Sequence, residues 1–398
     1  MKKILFVMNT MGRAGAEKAL LELFKHIDRT EYEISLFVLT GQGELLDAVP
    51  DYVKILNKKI LPVSVHSEEG RRKLIKSSLK ALLVRLNIIR LIPYFINNIK
   101  ALKNNGVYQP EKLLWRAYAD GTERFDTKYD IAVSFIEGGA AYYVADHVNA
   151  EKKAAFIHVD YSYAGYTRKL DKECYLKFDR IFAVSGEVAE VFDKVYPELT
   201  GKTEVFPNMI DREEIKKRAD EGTGFTDGFD GIRILTIGRL SAQKSLETSI
   251  EACYLLKKNN ENIRWYVLGE GHRRRRLEEL IKKLGLTEHF LLCGSVDNPY
   301  AYIKDADIFV HCTRFEGKSL AVQEAQILGK PIIVSNCSGN REQIVNGVDG
   351  AVCDFDPKSM AKTIYGLIHD EEKRKKYSEN AAKKEYGDRA SVERLLDF

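Results

Sequence analysis

The sequence predicts an α/β fold built from two Rossmann-like domains facing across a cleft. Short β-rich apolar runs alternate with helical patterns through both halves, as parallel sheets made of βαβ units require. A chain of 398 residues is too long for one ordinary core and suits two domains of roughly 200 residues. Between the halves lies EGTGFTDGFDG, dense in Gly and Asp, which reads as a linker or exposed loop. The expected strands of the first half are Ile4–Asn9, Ile34–Thr40, Asp130–Phe135, Ala154–Val159, Arg180–Ser185 and Glu204–Pro207. Those of the second are Ile232–Gly238, Ile263–Gly269, Phe290–Val296, Ala306–Cys312, Pro331–Asn336 and Ala351–Phe355. The domains are therefore drawn at 1–210 and 232–375, with a linker at 211–231 and a helical tail at 376–398.

Composition narrows the function classes. The net charge of +4 is too small to argue for nucleic acid, and no aromatic-rich basic motif accompanies it. Six cysteines at 174, 253, 293, 312, 337 and 353 form no Cys-x-x-Cys pair, and most sit in or beside apolar strands. Buried thiols in a reducing cytosol fit this pattern better than a disulfide frame or a zinc site. The amino terminus MKKILFVMNTMG leads straight into a glycine loop, so it reads as a first buried strand and not a signal peptide. No stretch reaches the roughly 18 apolar residues of a spanning helix, so membrane contact is expected to be peripheral at most.

One segment bears on that contact. From Arg71 to Pro110 there are basic residues and no Asp or Glu. At helical steps Leu74, Ile75, Leu79, Leu82, Leu86 and Ile89 share an arc, with Arg72, Lys73, Lys76, Lys80 and Arg90 on another. Such a helix, near 71–104, either packs on its own domain with a solvated basic face or lies against anionic lipid.

The chemistry concentrates in the second half. Thr313–Glu324, TRFEGKSLAVQE, places a Glu-Gly turn behind an apolar strand and a second glutamate in the helix that follows. The turn lies at the carboxyl edge of a sheet, where open α/β folds bind ligands. Amides near Lys318, Ser319 and Leu320, at the positive end of the helix dipole, make a seat for a diphosphate. Glu316 would meet sugar hydroxyls and Glu324 a ribose. Upstream, Gly238-Arg-Leu-Ser-Ala-Gln-Lys-Ser245 lets Arg239 and Lys244 converge on one anion from a βα loop.

With Leu268-Gly-Glu-Gly271, Gly294-Ser-Val-Asp-Asn-Pro299 and Gly339–Gly347, these elements resemble the retaining GT-B glycosyltransferases of the large bacterial capsule, exopolysaccharide and lipopolysaccharide group. The resemblance is specific over about the last 170 residues. It implies that Gly238, Arg239, Lys244, Gly269, Val296, Lys318, Ser319, Leu320 and Glu324 bind a nucleoside diphosphate sugar, with uridine the expected base. It also implies that the last helix crosses back to the first domain.

In the first half, Asn9-Thr-Met-Gly-Arg-Ala-Gly-Ala-Glu-Lys18 turns into a helix near Gly15 and lacks the third glycine of the dinucleotide fingerprint. It resembles the family's Gly-Gly-Ala-Glu element, with Ala14 replacing the first glycine, and assigns Gly15 to the distal phosphate. His158, at the end of KKAAFIHV, matches the family's cleft histidine beside the transferring sugar. Glu137 and Gly138, at another strand-to-helix junction, are assigned to the acceptor side. The Glu-Gly-Phe-Gly frequent in the family is here Glu316-Gly-Lys-Ser319, which bears on donor choice.

Two Asp-x-Asp strings, Asp305-Ala-Asp307 and Asp354-Phe-Asp356, flank strands away from the diphosphate seat, so no metal and no cofactor are expected. The expected function is a cytoplasmic retaining transferase, with Glu316, His158, Arg239 and Lys244 carrying the chemistry and a glycan or lipid-linked glycan as acceptor. It is placed in the cytoplasm, with the inner face of the membrane as its place of peripheral contact. An epimerase of the same fold and a catalytically silent nucleotide-sugar-binding partner are the alternatives. Donor sugar, linkage and oligomeric state are not legible.

Overall fold

The computed structural model describes residues 1–398 except 66, 84–88, 90, 91, 93–95, 97–109, 164, 165, 167, 172, 387 and 388. The chain divides into two units, Met1–Met209 with Gly387–Phe398, and Ile210–Tyr386.

The first unit is a seven-stranded parallel sheet. Its strands are β1 (Lys2–Met8), β2 (Tyr32–Val38), β3 (Lys54–Ile55), β4 (Tyr129–Ser134), β5 (Ala150–Ile157), β6 (Arg180–Ala183) and β7 (Thr203–Val205), in the order β3-β2-β1-β4-β5-β6-β7. β1 is a continuous apolar run whose residues Ile4–Met8 are all buried, which is what a sheet covered on both faces demands. An aromatic cluster of Tyr161, Tyr175, Phe192 and Tyr196 fills the far end of the core.

The second unit is a six-stranded parallel sheet of β8 (Ile232–Ile237), β9 (Ile263–Leu268), β10 (Phe290–Gly294), β11 (Ile308–His311), β12 (Ile332–Ser335) and β13 (Ala351–Cys353). Their order is β10-β9-β8-β11-β12-β13. Counted from its own first strand this is the Rossmann order, which reverses direction between β8 and β11. The loops after those two strands leave toward opposite sides and open a crevice at the carboxyl edge. In the first unit the same reversal falls between β1 and β4.

All twelve expected strands are present within a few residues of their expected limits; β3, a two-residue edge strand, has too little pattern to be read. Within the stretch read as a linker, Arg212–Glu221 is a helix capped by Asp211, whose Oδ1 accepts the Glu214 amide at 2.9 Å. Its Ile215 and Ala219 are buried with Tyr300 and Ile303, so a highly charged sequence still presents one apolar side. The tail holds the helices Pro357–Ile368, Glu371–Ala382 and Arg389–Leu396. The last of these packs in the first unit, with Arg394 paired to Glu204 at 3.4 Å and Phe398 set edge-on to Phe182. All six cysteines are free; five are buried and Cys293 is exposed. Among the described residues no helix is long and apolar enough to cross a membrane.

The basic segment differs from its expected arcs. The helix Glu68–Leu83 buries Gly70, where a Cβ would lie 2.0 Å from Ser64 O, and Ala81, which packs on the helix Pro110–Gly121; a Cβ on Gly121 would lie 3.0 Å from the Ala81 backbone. Leu74 and Leu82 are half-buried, whereas Ile75, Leu79 and Leu83 stand in solvent among Arg72, Lys76 and Lys80. Small residues, not the large apolar ones, choose the packed face. Leu86 and Arg90, and most of the segment to 104, lie outside the described residues.

Candidate active site

The loop after β8 and the loop after β11 meet at the switch point of the second sheet. They are stitched together by backbone: the Arg314 amide donates to Gln243 O at 2.9 Å, and Gln243 Nε2 donates to Phe315 O at 2.9 Å. Ser245 closes the first loop in the left-handed region at φ 41°, turning the chain into the helix Leu246–Lys258. Lys244, one residue before that turn, is largely buried. Its ammonium forms a salt bridge with Glu316 and lies 3.1 Å from His311 Nε2, which is itself 3.3 Å from the Glu316 carboxylate.

Three ionisable groups thus share one largely buried spot. Burial acts to raise the Glu316 carboxyl, but the Lys244 charge and the His311 contact outweigh it and hold it below the usual carboxylate range. Burial, helped by the Lys244 charge, lowers His311 to about 4, so its ring is neutral near pH 7. With the proton on Nδ1 the ring accepts from Lys244; with it on Nε2 the ring donates to Glu316. His311 escaped the sequence reading. Its signal was there: a polar residue ending the otherwise apolar strand IFVHC at the sheet's carboxyl edge.

The segment behind Glu316 is held from the other side. A Cβ on Gly339 would lie 2.1 Å from Gly317 O and 2.7 Å from Glu316 O, so only glycine lets the helix Ser338–Gln343 press against this turn. Gln343, also unread in the sequence, clamps Ser319 twice: its Oε1 accepts the Ser319 amide at 2.8 Å and its Nε2 donates to Ser319 O at 2.9 Å. Ser319 is the N-cap of the helix Leu320–Ile327, and its side chain accepts the Val322 amide. The Ser319 amide assigned to a diphosphate is therefore already used, because the Gln343 side chain from the neighbouring helix reaches it first. The amides of Leu320 and Ala321 remain at the helix start.

Arg239 does not join Lys244. It is exposed and lies 3.4 Å from Gln243 Oε1. Gly238 and Gly269 adjoin it: Gly269, at φ 151°, packs so closely that a Cβ would lie 2.0 Å from Gly238 O. Val296 and Glu324 are placed with the other apolar layer, where Tyr300 donates to the buried Glu324 carboxylate at 3.3 Å. Lys318 is half-buried and its ammonium is lowered by burial. Asp307 instead accepts the Arg233 amide at the opposite, amino edge of the sheet, and Asp356 caps the helix Pro357–Ile368.

In the first unit Gly15 opens the helix Gly15–His26 after β1. Glu137, assigned to the acceptor side, is buried, and its Oε1 accepts the backbone amides of His158 and Val159. It positions the histidine loop, because a buried carboxylate keeps whatever donors fold beside it. Gly138 sits at φ 78° and starts the helix Gly139–His147. The His158 ring lies against Phe135 and Phe156, and burial lowers it to about 4. Its Nε2 is buried, with no hydrogen-bond partner among the described residues.

Both constellations sit at the carboxyl edges of Rossmann-like sheets, and known proteins share stretches of this sequence and this fold. Residues 229–384 match the family described as glycosyl transferases group 1. The N-acetylgalactosamine-N,N'-diacetylbacillosaminyl-diphospho-undecaprenol 4-alpha-N-acetylgalactosaminyltransferase of Campylobacter jejuni is 32% identical over 182 residues, 45% of this chain and 48% of the relative. The capsular polysaccharide biosynthesis glycosyltransferase CapM of Staphylococcus aureus is 28% identical over 158 residues, 39% of this chain and 41% of the relative. Each alignment thus spans under half of the relative's length. Anabaena Alr3699/HepE, solved with UDP-glucose, superposes with a TM-score of 0.68 at 16% identity, covering 100% of this chain and 99% of that one. At that identity the likeness shows the fold: two Rossmann-like domains of the kind GT-B glycosyltransferases use.

Proposed function

We propose that the protein is a retaining glycosyltransferase that moves a sugar from a nucleoside diphosphate, UDP by preference, to a hydroxyl of a glycan precursor, with a lipid-linked glycan as the favoured acceptor. The observation that carries this reading is the Lys244–Glu316–His311 cluster beside the start of the helix Leu320–Ile327, inside the stretch that matches the glycosyl transferases group 1 model. Transfer needs a leaving diphosphate neutralised and an oxocarbenium-like carbon stabilised. Lys244, Arg239 and the Leu320 and Ala321 amides supply positive charge and donors to the first. Glu316 supplies negative charge to the second, and its burial strengthens that effect.

A diphosphate would compete with Glu316 for the Lys244 ammonium. As the ammonium turns toward phosphate, the Glu316 carboxylate is released to the sugar, so donor binding itself arms the charge. His158, with its buried Nε2 acceptor, contributes a contact to a sugar hydroxyl, and Gly15 one to the distal phosphate. Tyr300 and Glu324 offer hydrogen bonds to the ribose. Protein cations do this work in the proposal, without a metal. The six free thiols agree with a cytoplasmic location.

The relatives, one named for transfer to a diphospho-undecaprenol glycan and one for capsular polysaccharide biosynthesis, support the polymer and lipid-linked side of the reading. The test is a screen of nucleotide sugars for thermal stabilisation, followed by product analysis with and without undecaprenyl-diphosphate glycans. A donor at 100 times its dissociation constant stabilises by about 2.7 kcal/mol. Acceptor-dependent UDP release with a retained anomer supports the proposal. Interconversion of donor alone would make the protein an epimerase, and binding without turnover a silent partner; either result overturns it.

A further inference from the structure

The outward side of the helix Glu68–Leu83 has no role in the transfer reading, and its composition is unusual for a solvated surface. Ile75 is 62% exposed, Leu79 58% and Leu83 72%. At 100° per residue these three fall within one narrow stripe. Arg71 borders the stripe on one side and Arg72, Lys76 and Lys80 run through and along the other, all exposed. Ile89, Ile92 and Ile96 further along are exposed as well. A helix that needed only solubility would not hold a row of large apolar side chains in water, and a simple core helix would have turned them inward.

A second observation lies on the flank. Lys59, Ile60, Leu61, Glu69, Arg72, Lys73 and Lys76 line a cavity of about 430 Å³ between this helix and the segment after β3. Four of the seven are cations against one carboxylate. Lys73 is fixed there by donating to Gly41 O at 3.0 Å, and burial lowers its ammonium. Arg72 also pairs with Glu68, which leaves Lys59, Lys73 and Lys76 as the cavity's remaining positive charge. The floor is apolar. A cationic, apolar-floored recess beside an exposed apolar stripe has the complement of a phospholipid: a phosphate head group for the recess and acyl chains for the stripe.

We propose that this face is a docking surface for an anionic lipid bilayer, with Ile75, Leu79 and Leu83 entering the headgroup–acyl boundary while the Lys59–Lys76 recess takes a lipid phosphate. The helix lies in the plane of the membrane and does not cross it. Cations on both flanks of the stripe hold it to the negative surface, and the absence of acidic residues from Arg71 to Pro110 keeps that attraction from being cancelled locally. The packed side, through Gly70 and Ala81, stays on the protein. This docking is independent of the transfer reading: it would hold for a nucleotide-sugar-binding protein of any activity.

The test is co-sedimentation of the full chain with vesicles of phosphatidylcholine alone and with added phosphatidylglycerol, at low and high salt. Three proteins are compared: the natural sequence, Ile75→Ser with Leu79→Ser and Leu83→Ser, and Arg72→Gln with Lys76→Gln and Lys80→Gln. Lys73 is left unchanged because it anchors the loop at Gly41. The expected result is salt-sensitive binding to the anionic vesicles only. It should fall about a hundredfold in the charge variant and about tenfold or more in the apolar one. UDP-induced thermal stabilisation, measured on the same samples, should match in all three and shows that the variants fold. Binding that is absent, equal on neutral vesicles, or unchanged in both variants overturns the proposal. So does a lipid-free dimer of the natural protein that the serine variant abolishes, which would make the stripe a contact between two copies.

Discussion

At the scale of single residues the decisive feature is a carboxylate kept ionised in a largely buried place by one ammonium and one imidazole. Glu316→Gln preserves size and most hydrogen bonding while removing the charge. The variant should bind UDP at least as tightly, because Lys244 no longer has a carboxylate to leave, yet lose turnover by about two orders of magnitude or more, the effect of deleting one preorganised charge-stabilising group. Steady-state rates at saturating donor and acceptor check this, and a near-normal rate would reduce Glu316 to a positioning residue. His311 makes a separate prediction. Its folded-state value near 4 lies below the ordinary 6.5, so the unfolded chain binds a proton that the folded protein refuses between those limits. Its contribution to stability is therefore complete above about pH 6.5 and is lost as pH falls toward 4. Between pH 7 and pH 5 it should amount to about 2 kcal/mol, and His311→Gln should remove that share of the loss. Urea denaturation at the two pH values reads the difference; an unchanged pH dependence would mean that the ring is protonated in the folded state.

At the scale of elements, the site depends on a loop after β8, a loop after β11 and the two short helices Leu320–Ile327 and Ser338–Gln343. Gly339→Ala tests the close packing behind Glu316. The added methyl would meet Gly317 O, so the turn must shift, with an expected cost of about 1–3 kcal/mol in stability and a fall in both turnover and UDP affinity. Full activity with unchanged stability would show that the turn is free to move. Much of this assembly was legible. Alternating apolar runs located the strands, and strand ends located Lys244 and Glu316, because a parallel sheet exports its functional loops at one edge. What could not be read is side-chain competition in three dimensions. Gln343 takes the Ser319 amide, and Glu137 takes the His158 and Val159 amides, from elements distant in sequence. Arg239 and Lys244 share one loop, but Lys244 is paired with Glu316 while Arg239 stands exposed beside Gln243, a difference that their spacing does not show. The arc of the helix Glu68–Leu83 differs for a related reason: hydrophobicity ranks Ile and Leu as core, whereas close approach of backbone selects Gly70 against Ser64 and Ala81 against Gly121.

At the scale of the whole molecule, the chain's last segment belongs to its first unit. Helix Arg389–Leu396 buries Val392 and Leu395, and Arg394 pairs with Glu204, near the end of that unit's sheet. Tyr32, at the start of β2, donates to Leu396 O at 3.4 Å, which ties the segment to the beginning of the chain as well. Stability of the first unit should therefore depend on residues almost 400 positions from its first strand. Leu395 has no exposed surface, so Leu395→Ala removes buried methyl groups and leaves a cavity that costs about 2–5 kcal/mol. The second unit, Ile210–Tyr386, contains neither Leu395 nor the residues it covers, and it holds the Lys244–Glu316 cluster. The expected outcome is a destabilised first unit with UDP affinity retained. Hydrogen exchange resolves the two: protection should fall in β1, β2, β6 and β7 while β8–β13 keep theirs, and calorimetry should return an unchanged UDP dissociation constant. If exchange accelerates equally in both sheets, the two units unfold as one cooperative body and the division of the chain is geometric only. If protection is unchanged everywhere, the terminal helix adds nothing to the unit on which it packs.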